Sequence, residues 1–330
     1  MTKKSLLSTC FIFGLIGGIV SSCDQIKSSD ATFENSQVEQ SEIEIATPQP
    51  AIFDTAIKQS GSQPFQRITA IPVPLSLSFA GEPVPLDQDD TKESLEYELY
   101  SNCFRHSRTS IVVKRCYRWK PMIDSILAAN NVPQDFFYLA IAESELSNAA
   151  RSGAGAMGMW QFMKGTGKEY GLTINNDVDE RRHPIKATQA ACEYLKKAYA
   201  KFGNWTLVAA SYNMGKSGVA KRLESQNCES YYDLHLYTET SRYVFRILAF
   251  KLILENPEKY GFFIPESEGY QPLKYKEVTV SKTISDLSKF AKDNGTTYKD
   301  LRRYNPWFNN TSNYRLSVSK KDSVILWLPL

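Results

Sequence analysis

The chain has 330 residues, 42% of them hydrophobic, with 39 lysines and arginines against 36 aspartates and glutamates. That length exceeds one typical domain and the apolar fraction supports a sizeable core, so two folded units are expected. A net charge of +3 without a dense basic run excludes a polyanion-binding surface, and nucleic acid with it.

Lys3 and Lys4 precede an apolar stretch over residues 6–20, which gives way to Ser21, Ser22 and Cys23. A basic start, a short apolar run and small residues read as a secretory signal over residues 1–22. The run is too short for a comfortable membrane span. The small residues before Cys23 resemble a bacterial lipobox, which makes that cysteine the lipidated first residue of the mature chain; the alternative is a plain cleaved signal with an incidental cysteine. More than one acyl chain gives durable anchoring, so the membrane is an expected partner through an N-terminal lipid anchor. Residues 23–70 are rich in Ser, Gln, Glu and Thr without a sustained period and read as a disordered tether, spanning on the order of 35 Å. The next stretch, IPVPLSLSFAGEPVPLD, is too proline-rich to be helical for long and reads as an extended strap, with a domain boundary near Ile71.

Helical patterns follow over residues 92–104, 117–130, 134–144, 185–202, 205–212 and 243–255, with a turn around Gly165 and Gly167. No strand-like alternation intrudes, so residues 71–265 are expected to form an all-α domain. Phe137, Trp160 and Trp205 are expected in its core rather than as sugar platforms, with the weakest case at Trp160 beside Gln161. After Tyr270 the register changes. YKEVTV alternates like a strand, ISDLSKFAKDN and TYKDLRRYN read as short helices, and SVILWLP returns to strand, a βααβ order over residues 272–330. The fold class is therefore mainly α.

Residues 136–142 are apolar on every face of a helix, which marks a helix buried among others. Glu143 is the first carboxylate after them. Partial desolvation and the negative end of the helix dipole both favour its protonated form, as a general acid working near neutral pH requires. Glu145 lies two residues on, facing elsewhere, and reads as a solvated helix-end charge. The acids in residues 177–180 and Glu239 are expected to hold loops through Arg181, Arg182 and Arg242. Cleavage of a β-1,4 glycosidic bond normally uses two carboxylates, and here one is well placed.

With Cys10 in the signal and Cys23 lipidated, Cys103, Cys116, Cys192 and Cys228 remain. An even set in an exported chain allows disulfides in three pairings, which the spacing leaves open; core cysteines with one bridge at most are the simpler reading. His106, His183 and His235 are scattered, so neither a metal site nor a cofactor is expected.

The blocks Glu143-Ser144, Gly153-Ala154-Gly155-Ala156, Gly158-Met159-Trp160-Gln161, DERRHP, ASYNMG and ETSRYV resemble, in order and spacing, the lytic murein transglycosylases, specifically the membrane-bound type D group. The resemblance covers roughly residues 72–263 and implies a lysozyme-like catalytic domain. It implies that Glu143 protonates the bond between N-acetylmuramic acid and N-acetylglucosamine in peptidoglycan glycan strands, then deprotonates the muramoyl 6-hydroxyl, which closes on C1 to give a 1,6-anhydro sugar. Ser144 orients hydrogen bonds; Gln161, Tyr212, Asn213 and Tyr243 match positions lining the cleft; Met159 and the loop over residues 153–158 shape its floor. Plainer roles are helix caps for Gln161 and Asn213 and a core position for Tyr243. The βααβ segment, with Leu301, Asn305 and Pro306, resembles a LysM module, but Ser281-Lys282-Thr283 stands where the family has Gly-Asp-Thr, so fold is expected before glycan affinity. The expected location is the bacterial cell envelope, as a periplasm-facing lipoprotein, with inner and outer membrane both open. Two other readings stay open: a muramidase adding water on the same framework, and a noncatalytic wall-binding lipoprotein. No protein partner is indicated.

Overall fold

The structure is a computed structural model that describes residues 69–309, 314–319 and 323–330. The signal, the lipidation site at Cys23 and nearly all of the tether lie outside the described residues. A short hairpin opens the described part, β1 (Ser78–Phe79) paired antiparallel with β2 (Glu82–Pro83), turned by Ala80 and Gly81, both at positive φ. Eight helices follow: α1 (Asp89–Cys103), α2 (His106–Ala129), α3 (Phe136–Ser144), α4 (Lys164–Glu169), α5 (Pro184–Phe202), α6 (Trp205–Met214), α7 (Lys216–Gln226) and α8 (Thr238–Glu255). The last part is β3 (Tyr275–Val280), α9 (Leu287–Asp293), α10 (Tyr298–Tyr304) and β4 (Val324–Pro329), with β3 and β4 antiparallel.

Helix α8 is the hub of the larger core and packs against α1, α3 and α6. Its fully buried Val244, Ile247, Leu248 and Ala249 meet the equally buried Phe136, Phe137, Leu139 and Ile141 of α3 in one apolar cluster. The strap does more than cover the helices. Glu82 accepts hydrogen bonds from the amides of Trp205 (2.5 Å) and Thr206 (2.9 Å), placing a carboxylate at the positive end of α6. Asp135 accepts from the Ala80 amide and from Lys251 Nζ, both at 2.6 Å, which ties the hairpin to the start of α3 and to α8.

Several boundaries differ from the sequence reading. The hairpin forms within the strap read as extended, and isolated bridges such as Met157 to Phe162 add short pairings to a domain expected to be all-α. Helix α2 begins eleven residues earlier than expected and runs through Pro121. Its TSIVV stretch is a poor helix former, but burial of Thr109, Val112 and Val113 overrides that preference. Helix α7 was missed because it buries Val219 alone and carries no apolar stripe. The four cysteines 103, 116, 192 and 228 are all free, and burial pushes the Cys103 thiol up to about 11.

A second apolar cluster fills the βααβ unit, with Leu287, Leu301, Leu326 and Leu328 nearly inaccessible. Buried Asn305 locks it: its Nδ2 donates to the Trp327 carbonyl (2.7 Å) and its Oδ1 accepts from the Trp327 amide (2.8 Å). The same cluster takes in Val178, and the Asp179 amide donates to the Trp307 carbonyl at 2.8 Å. His183 stacks on Trp307 with ring centroids 4.0 Å apart. Burial first, and the Lys186 charge second, push the His183 imidazole down to about 3. Its folded pKa lies below its unfolded one, so this contribution to stability is intact above about pH 6.5 and is lost as the pH falls towards 3. The loss at the acid end is roughly 3–5 kcal/mol. Thermal melts of wild type and His183→Gln at pH 7 and pH 4 check this: the variant is expected to lose less on acidification.

Candidate active site

Helix α3 ends at Ser144 because Glu145 turns left-handed at φ 53°, its amide still donating to the Ile141 carbonyl. The turn stops the apolar helix one residue past Glu143 and sends the two glutamates apart. Glu145 pairs with Arg108, and Arg115 Nη1 donates to the Glu145 carbonyl at 2.8 Å. It is thus anchored to α2, where the sequence reading expected a solvated helix-end charge. Glu143 is half-buried and accepts a 2.5 Å hydrogen bond from the Tyr243 hydroxyl of α8.

Burial raises the Glu143 carboxyl to about 7, against the opposing pull of the Tyr243 hydrogen bond and the Arg246 charge; Glu239 adds a smaller push upward. Desolvation wins because the charges nearby are already committed: Arg246 binds Glu239 at 3.1 Å and faces the buried Glu98. A carboxyl at that value carries a proton half the time at pH 7, so it can give one up and take one back.

The wall opposite is built from the loop between α3 and α4. Ser144 Oγ donates to the Met159 carbonyl (2.8 Å), joining the end of α3 to that loop. Tyr212 Oη donates to the Trp160 carbonyl (2.8 Å), joining α6 to it, while Trp160 Nε1 donates to Thr188 Oγ1 of α5. Burial, and then the nearby Glu143, hold the Tyr212 phenol well above its usual range, so it stays neutral. Gln161 sits at φ 46° with its Nε2 donating to the Gly158 (2.7 Å) and Ala150 (3.2 Å) carbonyls; it braces the loop and caps no helix. Asn213 lies inside α6, exposed, its Oδ1 accepting from Thr240 Oγ1 at 2.8 Å.

Ser144, Tyr212 and Tyr243 are thereby gathered around Glu143 or the loop facing it, with Gln161 and Asn213 at the edge. Met159 is a correction. Its side chain is fully buried, so it serves the site through its carbonyl and offers no floor. Phe137 and Trp160 are core residues as expected, whereas Trp205 is half-buried and stacks on Tyr199 at 4.0 Å.

The loop owes its shape to Arg181, which sequence reasoning marked as a loop holder without finding its reach. It donates to both oxygens of Asp179, at 2.9 and 2.6 Å, and to the carbonyls of Gly155 (2.9 Å) and Phe162 (3.1 Å). Gly158 passes so close that a Cβ there would sit 1.9 Å from the Arg181 carbonyl oxygen, at a φ of +78°. The other pairings differ from expectation. Arg242 binds Glu98 rather than Glu239, Glu180 binds Lys186, and Arg182 has no acidic partner among the described residues. The Tyr243–Glu143 bond was not legible, since it joins two helices far apart in sequence, and the Arg246–Glu239 pair, seven residues apart within α8, was missed because Glu239 was assigned to Arg242.

Tyr243→Phe tests the balance at the acid. Without the hydroxyl that favours the carboxylate, Glu143 holds its proton to higher pH, and the alkaline limb of the pH–rate profile shifts upward. Turnover near neutrality falls about tenfold. An unshifted profile contradicts the assignment.

Residues 121–234 match the model of the transglycosylase SLT domain, and residues 276–330 match the soluble lytic transglycosylase C-terminal LysM-like domain. Tyr243 lies beyond the first match. Among curated proteins, the chain is 28% identical over 236 residues to membrane-bound lytic murein transglycosylase D of Escherichia coli strain K12, covering 69% of this chain and 51% of that protein. It is 36% identical over 106 residues to peptidoglycan transglycosylase gp16 of Escherichia phage T7, covering 31% and 8%. The chain thus spans about half the length of the first relative. Among solved structures, the 70 kDa soluble lytic transglycosylase of Escherichia coli aligns with a TM-score of 0.39 at 19% identity, over 52% of this chain and 30% of that one. A lytic transglycosylase of Pseudomonas aeruginosa aligns with a TM-score of 0.36 at 22% identity, over 46% and 26%.

Proposed function

We propose that this chain, which carries a transglycosylase SLT domain and a LysM-like C-terminal domain, is a peptidoglycan lytic transglycosylase with Glu143 as its single acid and base. The observation that carries the reading is a carboxyl raised to about 7 whose nearest acidic influence, Glu239, is tied up by Arg246, while Glu145 is turned away to Arg108. With one carboxylate free to react, the part of the usual second carboxylate is taken by the substrate's own hydroxyl.

Glu143 gives its proton to the glycosidic oxygen between N-acetylmuramic acid and N-acetylglucosamine, and the C1–O bond breaks. The muramoyl N-acetyl group stabilises the oxocarbenium-like centre. The Glu143 carboxylate, held by the Tyr243 hydroxyl, then takes the proton of the muramoyl 6-hydroxyl as that oxygen bonds to C1. A 1,6-anhydro sugar forms and the acid is restored without water. Tyr212, Asn213, Gln161 and Ser144 line and brace the cleft. Asn305 and the docked tryptophans suggest a LysM-like module that is first a structural partner of the loop carrying Asp179. The likeness to a membrane-bound relative, the signal-like start and Cys23 together support a lipid-anchored protein of the cell envelope.

Mass spectrometry of sacculi digested by the purified chain tests the reading. Anhydromuropeptides are expected; products one water heavier would make the enzyme a hydrolase, and intact sacculi would make the chain noncatalytic.

A further inference from the structure

Away from Glu143, a cleft of about 310 Å³ opens between α2, the segment 146–149 and the βααβ unit. Arg115 and Arg118 of α2 line one side and Arg303 of α10 the other, and no aspartate or glutamate lines it. Two of the three guanidiniums are held in place by carbonyls: Arg115 by Glu145, and Arg118 by Gln271 at 2.9 Å, with its plane over the Tyr270 ring. Carbonyl anchors fix their direction and leave their charge uncompensated. No carboxylate among the described residues comes within ion-pair distance of any of the three, and the nearby Glu145 is committed to Arg108. Burial first, and then Arg303, disfavour the charge on Arg118, with Arg115 adding to the same effect. On the same wall, Asn148 buries its Oδ1 without a hydrogen-bond partner. A buried acceptor left unpaired costs about 1–3 kcal/mol, a cost that rotation of the half-buried Asn148 side chain towards a donor in the cleft relieves.

These groups specify a ligand. Converging guanidiniums fit carboxylates, Asn148 Oδ1 wants an amide or ammonium hydrogen, and Trp119, Leu146 and Leu273 supply apolar contact for a short aliphatic body. A phosphodiester would satisfy the arginines but bring no donor for Asn148. We propose that the cleft is a second binding site, separate from the reacting centre, for short peptides bearing free carboxylates. Its natural occupant is the stem peptide of peptidoglycan, an identification that rests on the function proposed above. Segment 146–149 begins three residues past Glu143, so a stem held there belongs to the same murein mesh that the acid works on.

The probe is the free tripeptide L-alanyl-γ-D-glutamyl-meso-diaminopimelate, titrated calorimetrically into the full chain carrying Glu143→Gln. Having no sugar, it does not compete for the glycan cleft. Binding is expected, with affinity lowered at least about tenfold in Arg118→Ala and further in Arg303→Glu, and abolished by amidation of the peptide's carboxyls. Arg303 is exposed, so that variant keeps its fold even if Arg118→Ala does not. Equal binding to Arg303→Glu, absence of binding to the parent, or displacement by inorganic phosphate at equal concentration would each overturn the proposal, the last in favour of a phosphate site. Sacculus cutting is scored separately on the wild-type chain: cutting without tripeptide binding removes the cleft alone, and tripeptide binding without cutting removes the proposed function alone.

Discussion

Glu143→Gln is expected to lower turnover of sacculi by roughly 10³-fold or more, the scale of a lost general acid–base group. Glutamine keeps an oxygen for the Tyr243 hydroxyl and nearly the same volume, so the fold and binding to sacculi persist. Stability supplies a second, independent signature. The folded carboxyl sits at about 7, above its unfolded value near 4.5, so below pH 4.5 both states hold the proton. As the pH rises to 7 and beyond, the unfolded chain releases its proton more readily than the folded one, and the native state loses stability. Glutamine has no proton to lose. The variant is therefore expected to match wild type near pH 4 and to exceed it by roughly 1–3 kcal/mol above pH 7. Chemical denaturation at the two pH values reads the difference; a variant that is no more stable at pH 8 places Glu143 in ordinary solvent.

Asp179→Ala is expected to cost about 3–5 kcal/mol, since it strands the Arg181 guanidinium in a buried position. Asp179 and Arg181 are 2% and 5% exposed, and water cannot replace the lost partner. The damage spreads because Arg181 also holds the Gly155 and Phe162 carbonyls, and through them the loop that carries Trp160 and Gln161. The Trp160 carbonyl would then drift from Tyr212, so turnover falls with stability. The double change Asp179→Leu with Arg181→Met removes the stranded charge and recovers part of the stability, but not the two carbonyl contacts. Denaturation midpoints of the single and double variants check the order. An Asp179→Ala protein within about 0.5 kcal/mol of wild type would contradict the account of the loop.

Much of this site could be read along the chain because its signals are local. A wholly apolar run ending in Glu143 announces a buried helix with a desolvated acid, and YKEVTV with SVILWLP marks a strand pair with little ambiguity. What could not be read joins distant segments. Glu82 capping α6 spans more than a hundred residues and the Tyr243–Glu143 bond spans 100, and neither leaves a period or a spacing. Met159 was misjudged because a motif position fixes a place on the chain and not the direction of the side chain. Helix α7 buries Val219 alone and so shows no apolar stripe, and the early start of α2 runs against its own helix propensity, where tertiary burial of Thr109, Val112 and Val113 decided the outcome. The docking of the C-terminal unit on Val178 and His183 had no sequence signal at all, though it creates the arginine-lined cleft.

The central claim is that position 143 carries a carboxyl able to hold its proton at neutral pH. Carbon-13 NMR of the chain labelled at glutamate carboxyls, assigned by the signal missing from Glu143→Gln, follows that one group through a titration. A midpoint near 7 is the expected result, displaced upward in Tyr243→Phe. A midpoint near 4.5, the value of a freely hydrated glutamate, would contradict it.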